Sequence, residues 1–138
     1  MIVIDGTNLV LGRLATFAAK KALEGEEVIV VNSENVIISG KKKDVISIFK
    51  QKVGRGTPLK GPFYPKQPDR VVRRVIRGMI PYKQGRGKLA FARVMCYLGV
   101  PEKYKNEKME TIKKADFTRL KTAKFISLSN LCKEIGGK

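Results

Sequence analysis

The stretch "MIVIDGTNLVLGRLATFAAKKALEGEEVIVVNSENVIIS", Met1 to Ser39, decides the fold. It opens on an apolar run, Met1–Ile4, that stops at Asp5-Gly6 and reads as a strand buried on both faces. Leu11, Leu14, Ala15, Ala18 and Ala22 then recur at i, i+3, i+4, i+7 and i+11, with Arg13 and Lys20 opposite, which is the apolar stripe of a helix. Gly25 stands where a helix commonly ends on a left-handed residue. Val28–Val31 is a second buried strand, and Val36–Ser39 a third after a tight connection. Strand, helix, strand, with apolar strands, points to a parallel α/β sheet.

Beyond this unit, Val45, Ile48, Phe49 and Val53 space a second helix. The segment "GRGTPLKGPFYPKQP", Gly54 to Pro68, holds four of the six prolines and three glycines, a composition that suits no strand or helix interior. It reads as an extended basic arm or long loop. A third helix follows over about residues 70–79, closed by Pro81. "GRGK", Gly85–Lys88, opens a short helical turn, and "VMCYLGV", Val94–Val100, reads as a fourth strand. Residues 102–126 are charged and irregular. Ser127 is placed to cap a last helix bearing Leu128, Leu131, Cys132 and Ile135, ended by Gly136-Gly137. The length, 138 residues, suits one domain, with the arm at 54–68 and a C-terminal extension at 102–138.

Composition narrows the function. The chain has no histidine, so Ser-His and Cys-His catalysis are excluded. Its two cysteines, Cys96 and Cys132, sit in apolar surroundings and read as buried small hydrophobes; two cysteines alone build no structural zinc site. No apolar run reaches the ~18 residues of a membrane span, and no secretory signal is read at the N-terminus.

The net charge is +17 and unevenly spread. Residues 1–40 carry 3 basic and 5 acidic groups, net −2; residues 41–93 carry 16 and 2, net +14; residues 94–138 carry 10 and 5, net +5. A near-neutral start beside a strongly basic middle implies one surface that faces a polyanion, and nucleic acid suits it better than an anionic membrane. The most informative feature is "DRVVRRVIRGMIP", Asp69–Pro81. On a helix, Arg70, Arg73, Arg74 and Arg77 share one face, and Val72, Val75, Ile76 and Met79 the other. Like charges at this spacing destabilise a helix by a few tenths of a kcal/mol per pair, roughly, and no acid occurs across residues 70–93 to offset them. The planar arginine fork suits phosphate oxygens.

Other basic groups extend the candidate surface. Lys41, Lys42 and Lys43 crowd a helix start, the unfavourable end for cations; they are either phosphate contacts or a solvated charge run. Arg55, Lys60 and Lys66 line the arm as a phosphate track, with Phe63 and Tyr64 stacking on bases or packing on the domain. Lys83, Arg86, Lys88 and Arg93 continue the patch, and "GRGK" is either a cradle of backbone N–H groups or a glycine hinge.

The stretch "DGTNLVLGR", Asp5–Arg13, bears on whether the chain is an enzyme. Its glycines match neither G-x-G-x-x-G nor G-x-x-x-x-G-K-[ST], and Gly12 reads as a close-packing residue between helix and sheet. Asp-Gly-x-Asn at a strand end also resembles the opening of some metal-dependent ribonucleases. Such a site needs several carboxylates at strand ends; Asn32 ends the second strand, and Asp44 and Asp69 read as helix-start residues.

"RRVIRGMIPYKQGRGKLAFARVMCYLGVP", Arg73–Pro101, closely resembles the signature region of the family of the thirteenth ribosomal protein of the large subunit. "VIDGTNLVLGRLA", Val3–Ala15, and "VVNSENVIISGKKK", Val30–Lys43, resemble that family's first two blocks, collinear over residues 1–101. The start at the first strand and the length resemble the archaeal members. The resemblance implies a three-layer α/β/α domain with a four-stranded parallel sheet in the order 3-2-1-4. It implies a non-enzymatic, cytoplasmic constituent of the large ribosomal subunit. Its partners would be ribosomal RNA and neighbouring large-subunit proteins, and it would join early in assembly. No cofactor, metal, membrane or small-molecule substrate is expected. A metal-dependent RNA-processing enzyme and a free RNA-binding translational regulator stand as the alternatives.

Overall fold

A computed structural model describes residues 1–137. The strands are β1 (Ile2–Asp5), β2 (Val28–Val31), β3 (Ile37–Ser39), β4 (Val94–Cys96), β5 (Met109–Glu110) and β6 (Phe125–Ser127). The helices are α1 (Leu11–Leu23), α2 (Lys42–Val53), α3 (Pro68–Gly78), α4 (Gly85–Ala92) and α5 (Leu128–Glu134).

The first unit forms as its pattern dictates. β1 and β2 pair in parallel with Ile2 opposite Val28 and Asp5 opposite Val31, and α1 buries Leu11, Leu14, Ala15, Ala18 and Ala22. Gly25 takes a φ of +100° where α1 ends. Because side chains alternate along a strand, Ile4, Val28 and Val30 join one core with α1, α3, α4 and α5. Val3, Ile29 and Val31 point the other way into a smaller cluster closed by Tyr104 from a short 3-10 turn at Glu102–Tyr104. Helices packed around a four-stranded parallel sheet give the expected α/β architecture.

The strand order differs from the expected one. The main sheet runs β4-β2-β1-β5, and β3 pairs antiparallel with β6 in a separate ribbon. Connection length gives the reason. A parallel neighbour requires a crossover of roughly a dozen residues, and only residues 32–36 separate β2 from β3. Asn32, at φ +54°, and the 3-10 turn Ser33–Asn35 instead swing the chain past the end of β1, where the Ile37 N–H donates to the Leu9 carbonyl at 2.9 Å. The place beside β1 is taken by β5, which comes from the segment that reads as irregular in the sequence. The fourth strand is also shorter than expected, ending at Cys96. Beyond it the Tyr97 N–H still donates to the Val30 carbonyl at 2.8 Å, and the Gly99 N–H donates to the Glu34 carboxylate at 3.0 and 3.2 Å, tying the following turn to the segment after β2.

Two glycine expectations change place. A Cβ at Gly12 would meet nothing, whereas one at Gly6 would come 2.8 Å from Val36 Cγ2 and 3.0 Å from the Val31 carbonyl oxygen, so Gly6 is the close-packing glycine. "GRGK" forms the first turn of α4 rather than a hinge, and Gly87 lets that turn pack closely, because a Cβ there would collide with the Pro81 carbonyl. Ser127 caps α5 by accepting from the Asn130 N–H at 3.4 Å. Both cysteines are free and buried. Burial pushes the Cys96 thiol up to about 12, against the opposing pull of Arg73, and the Cys132 thiol up to about 11.

Candidate nucleic-acid interface

α3 carries the centre of the basic surface. Pro68 occupies its first turn, where no N–H is needed, and Asp69 lies beside the positive helix end. Pro68, Val71, Val72 and Ile76 are buried and Val75 is partly buried, which fixes the helix against α1. Met79 leaves the expected apolar face: it is 43 % exposed just past the helix, and its sulfur accepts from the Thr16 hydroxyl at 3.6 Å.

The four arginines are arranged by more than their helical spacing. The Arg73 guanidinium lies 4.2 Å from the Phe91 ring centroid, and its Nε donates to the Val94 carbonyl at 3.0 Å. Arg74 lies 4.7 Å from the Tyr64 centroid, and Arg77 lies 4.7 Å from that of Tyr82. Arg70 is exposed. A guanidinium stacked on a ring keeps its edge N–H groups for a planar anion while losing little further freedom on binding. Among the described residues, the ion pairs are those of Lys21, on α1's last turn, with Glu24 (3.3 Å) and Glu26 (3.9 Å) just beyond it, far from the α3 arginines in sequence. The stripe therefore has no acidic partner among those residues.

The four arginines line one open groove of about 280 Å³ with Phe63, Pro65 and Phe91. A second groove, which shares Arg74 with the first, is lined by Lys52, Arg55, Pro62, Tyr64 and Arg74. The arm is thus partly packed. Tyr64 meets Phe49 edge-on at 5.9 Å, burial pushes its phenol up, and Thr57 and Gly61 exchange backbone hydrogen bonds of 2.9 and 3.1 Å that close the arm's tip. Leu59 and Phe63 remain 93 % and 69 % exposed. Lys60 is exposed near the tip, and Lys66 lies against the C-terminal glycines, its Nζ 3.7 Å from where a Gly136 Cβ would stand.

The other candidates form separate groups. Lys83, Arg86 and Lys88 are exposed around the turn into α4, with Arg86 bordering a groove shared with Lys20 and Met79. Arg93 is half-buried and donates to the Ala22 carbonyl at 3.2 Å, completing the open C-terminal end of α1. Lys41, Lys42 and Lys43 surround the start of α2, and the β3–β6 ribbon brings Lys124 beside them, with the Gly40 N–H donating to the Lys124 carbonyl at 2.9 Å. Lys124 and Lys52 have no sequence signal that sets them apart from other lysines. Tyr82 and Phe91 do have one: they are aromatics interleaved in a basic stretch without acids.

The Asp5 end of β1 is built differently from a metal site. Asp5 accepts from the Thr7 N–H (3.0 Å), the Thr7 hydroxyl (2.7 Å) and the Asn32 amide (3.0 Å). Burial works to raise its pKa, but the bonds from Asn32 and Thr7 together outweigh it and hold the carboxyl below its usual value. Among the described residues no group of three or more His, Cys, Asp or Glu is gathered to hold a metal ion.

Residues 1–103 match the profile of the family described as Ribosomal protein L13. A protein of Methanopyrus kandleri named Large ribosomal subunit protein uL13 is 46% identical over 136 residues, covering 97% of this chain and 86% of the relative. Proteins of the same name from Methanosarcina barkeri and Methanococcoides burtonii are 42% and 39% identical, each covering 100% of this chain and 99% of the relative. On this extent of similarity, the chain belongs to the ribosomal protein L13 family.

Proposed function

We infer that this protein is a non-enzymatic structural constituent of the large ribosomal subunit in the cytoplasm. It binds ribosomal RNA through the surface centred on α3 and supports early subunit assembly beside neighbouring ribosomal proteins. One observation carries the reading: four arginines on a rigid helix, three of them held by aromatic rings, with no acidic partner among the described residues. Arg70, Arg73, Arg74 and Arg77 meet backbone phosphates. Arg55, Lys60 and Lys66 on the arm extend that contact along one direction, and Lys83, Arg86, Lys88 and Arg93 along another. Lys41, Lys42 and Lys43 hold a second strand or turn. Phosphate contacts position an RNA without reading its bases, and the deep major groove of an A-form helix excludes side chains, so recognition is mainly of shape.

Sedimentation tests this reading. The chain is expected in the large-subunit peak of a sucrose gradient, retained through a wash in moderate salt; recovery mainly in the free fractions would favour the regulator. For the nuclease alternative, incubation with structured and single-stranded RNA in Mg²⁺ or Mn²⁺ is expected to leave the RNA intact. Cleavage abolished by Asp5→Asn would overturn the structural role.

A further inference from the structure

The groove beside α3 is not lined as a phosphate track alone would be. Phe63 is 69 % exposed at its lip, and Pro65 and Phe91 line it with the arginines. An exposed phenyl ring gains nothing from phosphate oxygens, and leaving it in water forgoes the benefit of burial. Nor is Phe63 on a free tether. The next residue, Tyr64, is fixed between Phe49 and Arg74, and the ring of Phe63 lies back over Gly61, within 3.1 Å of where a Cβ there would stand. Gly61 itself has φ +82° and pairs with Thr57, so the loop sets where the ring sits.

A ligand that satisfies this groove presents a flat apolar face and an anion within the same width. A nucleotide has both. A nucleotide inside a duplex does not offer both, because its base faces are covered by the stack and only its phosphates point outward. We propose that this groove seats an unpaired nucleotide of the bound RNA, its base stacked on Phe63 and its flanking phosphates on Arg70, Arg74 and Arg77. Arg73, whose Nε is engaged by the Val94 carbonyl, orders the groove floor and keeps its terminal N–H groups for a further phosphate. The proposal rests on the reading that α3 faces RNA, and adds that the RNA there is bulged or looped rather than paired.

The test uses the whole chain and two hairpin RNAs with equal numbers of phosphates, one fully paired and one with a three-nucleotide bulge containing 2-aminopurine. The wild-type chain is expected to bind the bulged RNA more tightly and to quench the 2-aminopurine. Phe63→Ala is expected to weaken bulged-RNA binding roughly 5- to 100-fold, the range for loss of one base–aromatic stack, and to abolish the quenching. Binding of the paired RNA and both salt dependences are expected to stay within about 2-fold of wild type, because no charge is removed. Phe63→Trp is expected to keep the preference. An equal loss for both RNAs, or no loss for the bulged one, overturns the proposal; the second result would mean that Phe63 is covered by something other than a base. Failure of the underlying reading has a different signature: Arg70→Gln with Arg77→Gln would then leave binding of both RNAs unchanged.

Discussion

Arg70 and Arg73 lie on one face of one helix and yet predict different phenotypes. Arg73→Gln removes a charge-assisted hydrogen bond of 3.0 Å to the Val94 carbonyl and a guanidinium stacked 4.2 Å from Phe91. Bonds to charged groups are worth about 1.5–3 kcal/mol and stacked cations about 0.5–2 kcal/mol, and glutamine recovers part of the bond, so the expected net loss is about 1–3 kcal/mol. For a chain of this size that lowers Tm by roughly 3–10 °C. Arg70 is exposed, and Arg70→Gln should change stability by less than about 0.5 kcal/mol. Both substitutions should reduce the slope of log affinity against log salt by roughly 0.7–0.9 for each phosphate contact removed. The control is Lys21→Gln, whose ammonium is already paired with Glu24 at 3.3 Å; the slope should not change. Thermal melts by circular dichroism and filter binding from 50 to 300 mM salt, roughly the range over which such slopes are resolved, supply the two readouts. If Arg70→Gln kept its slope and affinity but lost Tm, the stripe would be structural and the phosphate assignment wrong. If Arg73→Gln melted with wild type, the link from α3 to β4 would contribute nothing.

Three further outcomes follow from particular contacts. Gly87→Ala drives a methyl group into the Pro81 carbonyl, and it should destabilise by about 1–3 kcal/mol and loosen α4, seen as a lower urea midpoint. Asp5 has a depressed folded pKa, so its contribution is present above the ordinary carboxylate pKa of the unfolded chain and is lost as pH falls through the lower folded value. Wild type should therefore be more stable than Asp5→Asn at neutral pH and converge with it in acid; a gap that persists unchanged to pH ~2, below the usual carboxylate range, would refute the charged network with Thr7 and Asn32. Trypsin should cut the free chain first after the exposed Lys60 at the arm's tip, and ribosomal RNA should protect that bond; equal rates in both states would show that the arm does not engage RNA.

The sequence by itself determined the elements whose signal is local. The β1-α1-β2 unit follows from apolar periodicity, the α3 arginine face from helical spacing, and the Ser127 cap from one residue type at one position. The charge distribution and the signature around Gly78–Pro81 pointed to an RNA-bound ribosomal family on the same local grounds. Tertiary structure alone decided which strand lies beside which. β5 is two residues long and β6 three, too short for any periodicity, and they acquire their places only because β1 and β3 offer unpaired edges. Strand order is thus a property of pairing partners far apart in sequence, limited by how far five residues can carry the chain between β2 and β3. The same separation governs the interface. Sequence placed four arginines on a face, but only the fold could bring Tyr64 from the arm and Phe91 from α4 beneath their guanidiniums, set Phe63 at the lip, and move Lys124 next to Lys41–Lys43. Spacing along a helix is fixed by its 3.6-residue turn, whereas contact between helix, arm and ribbon depends on the burial that holds them together.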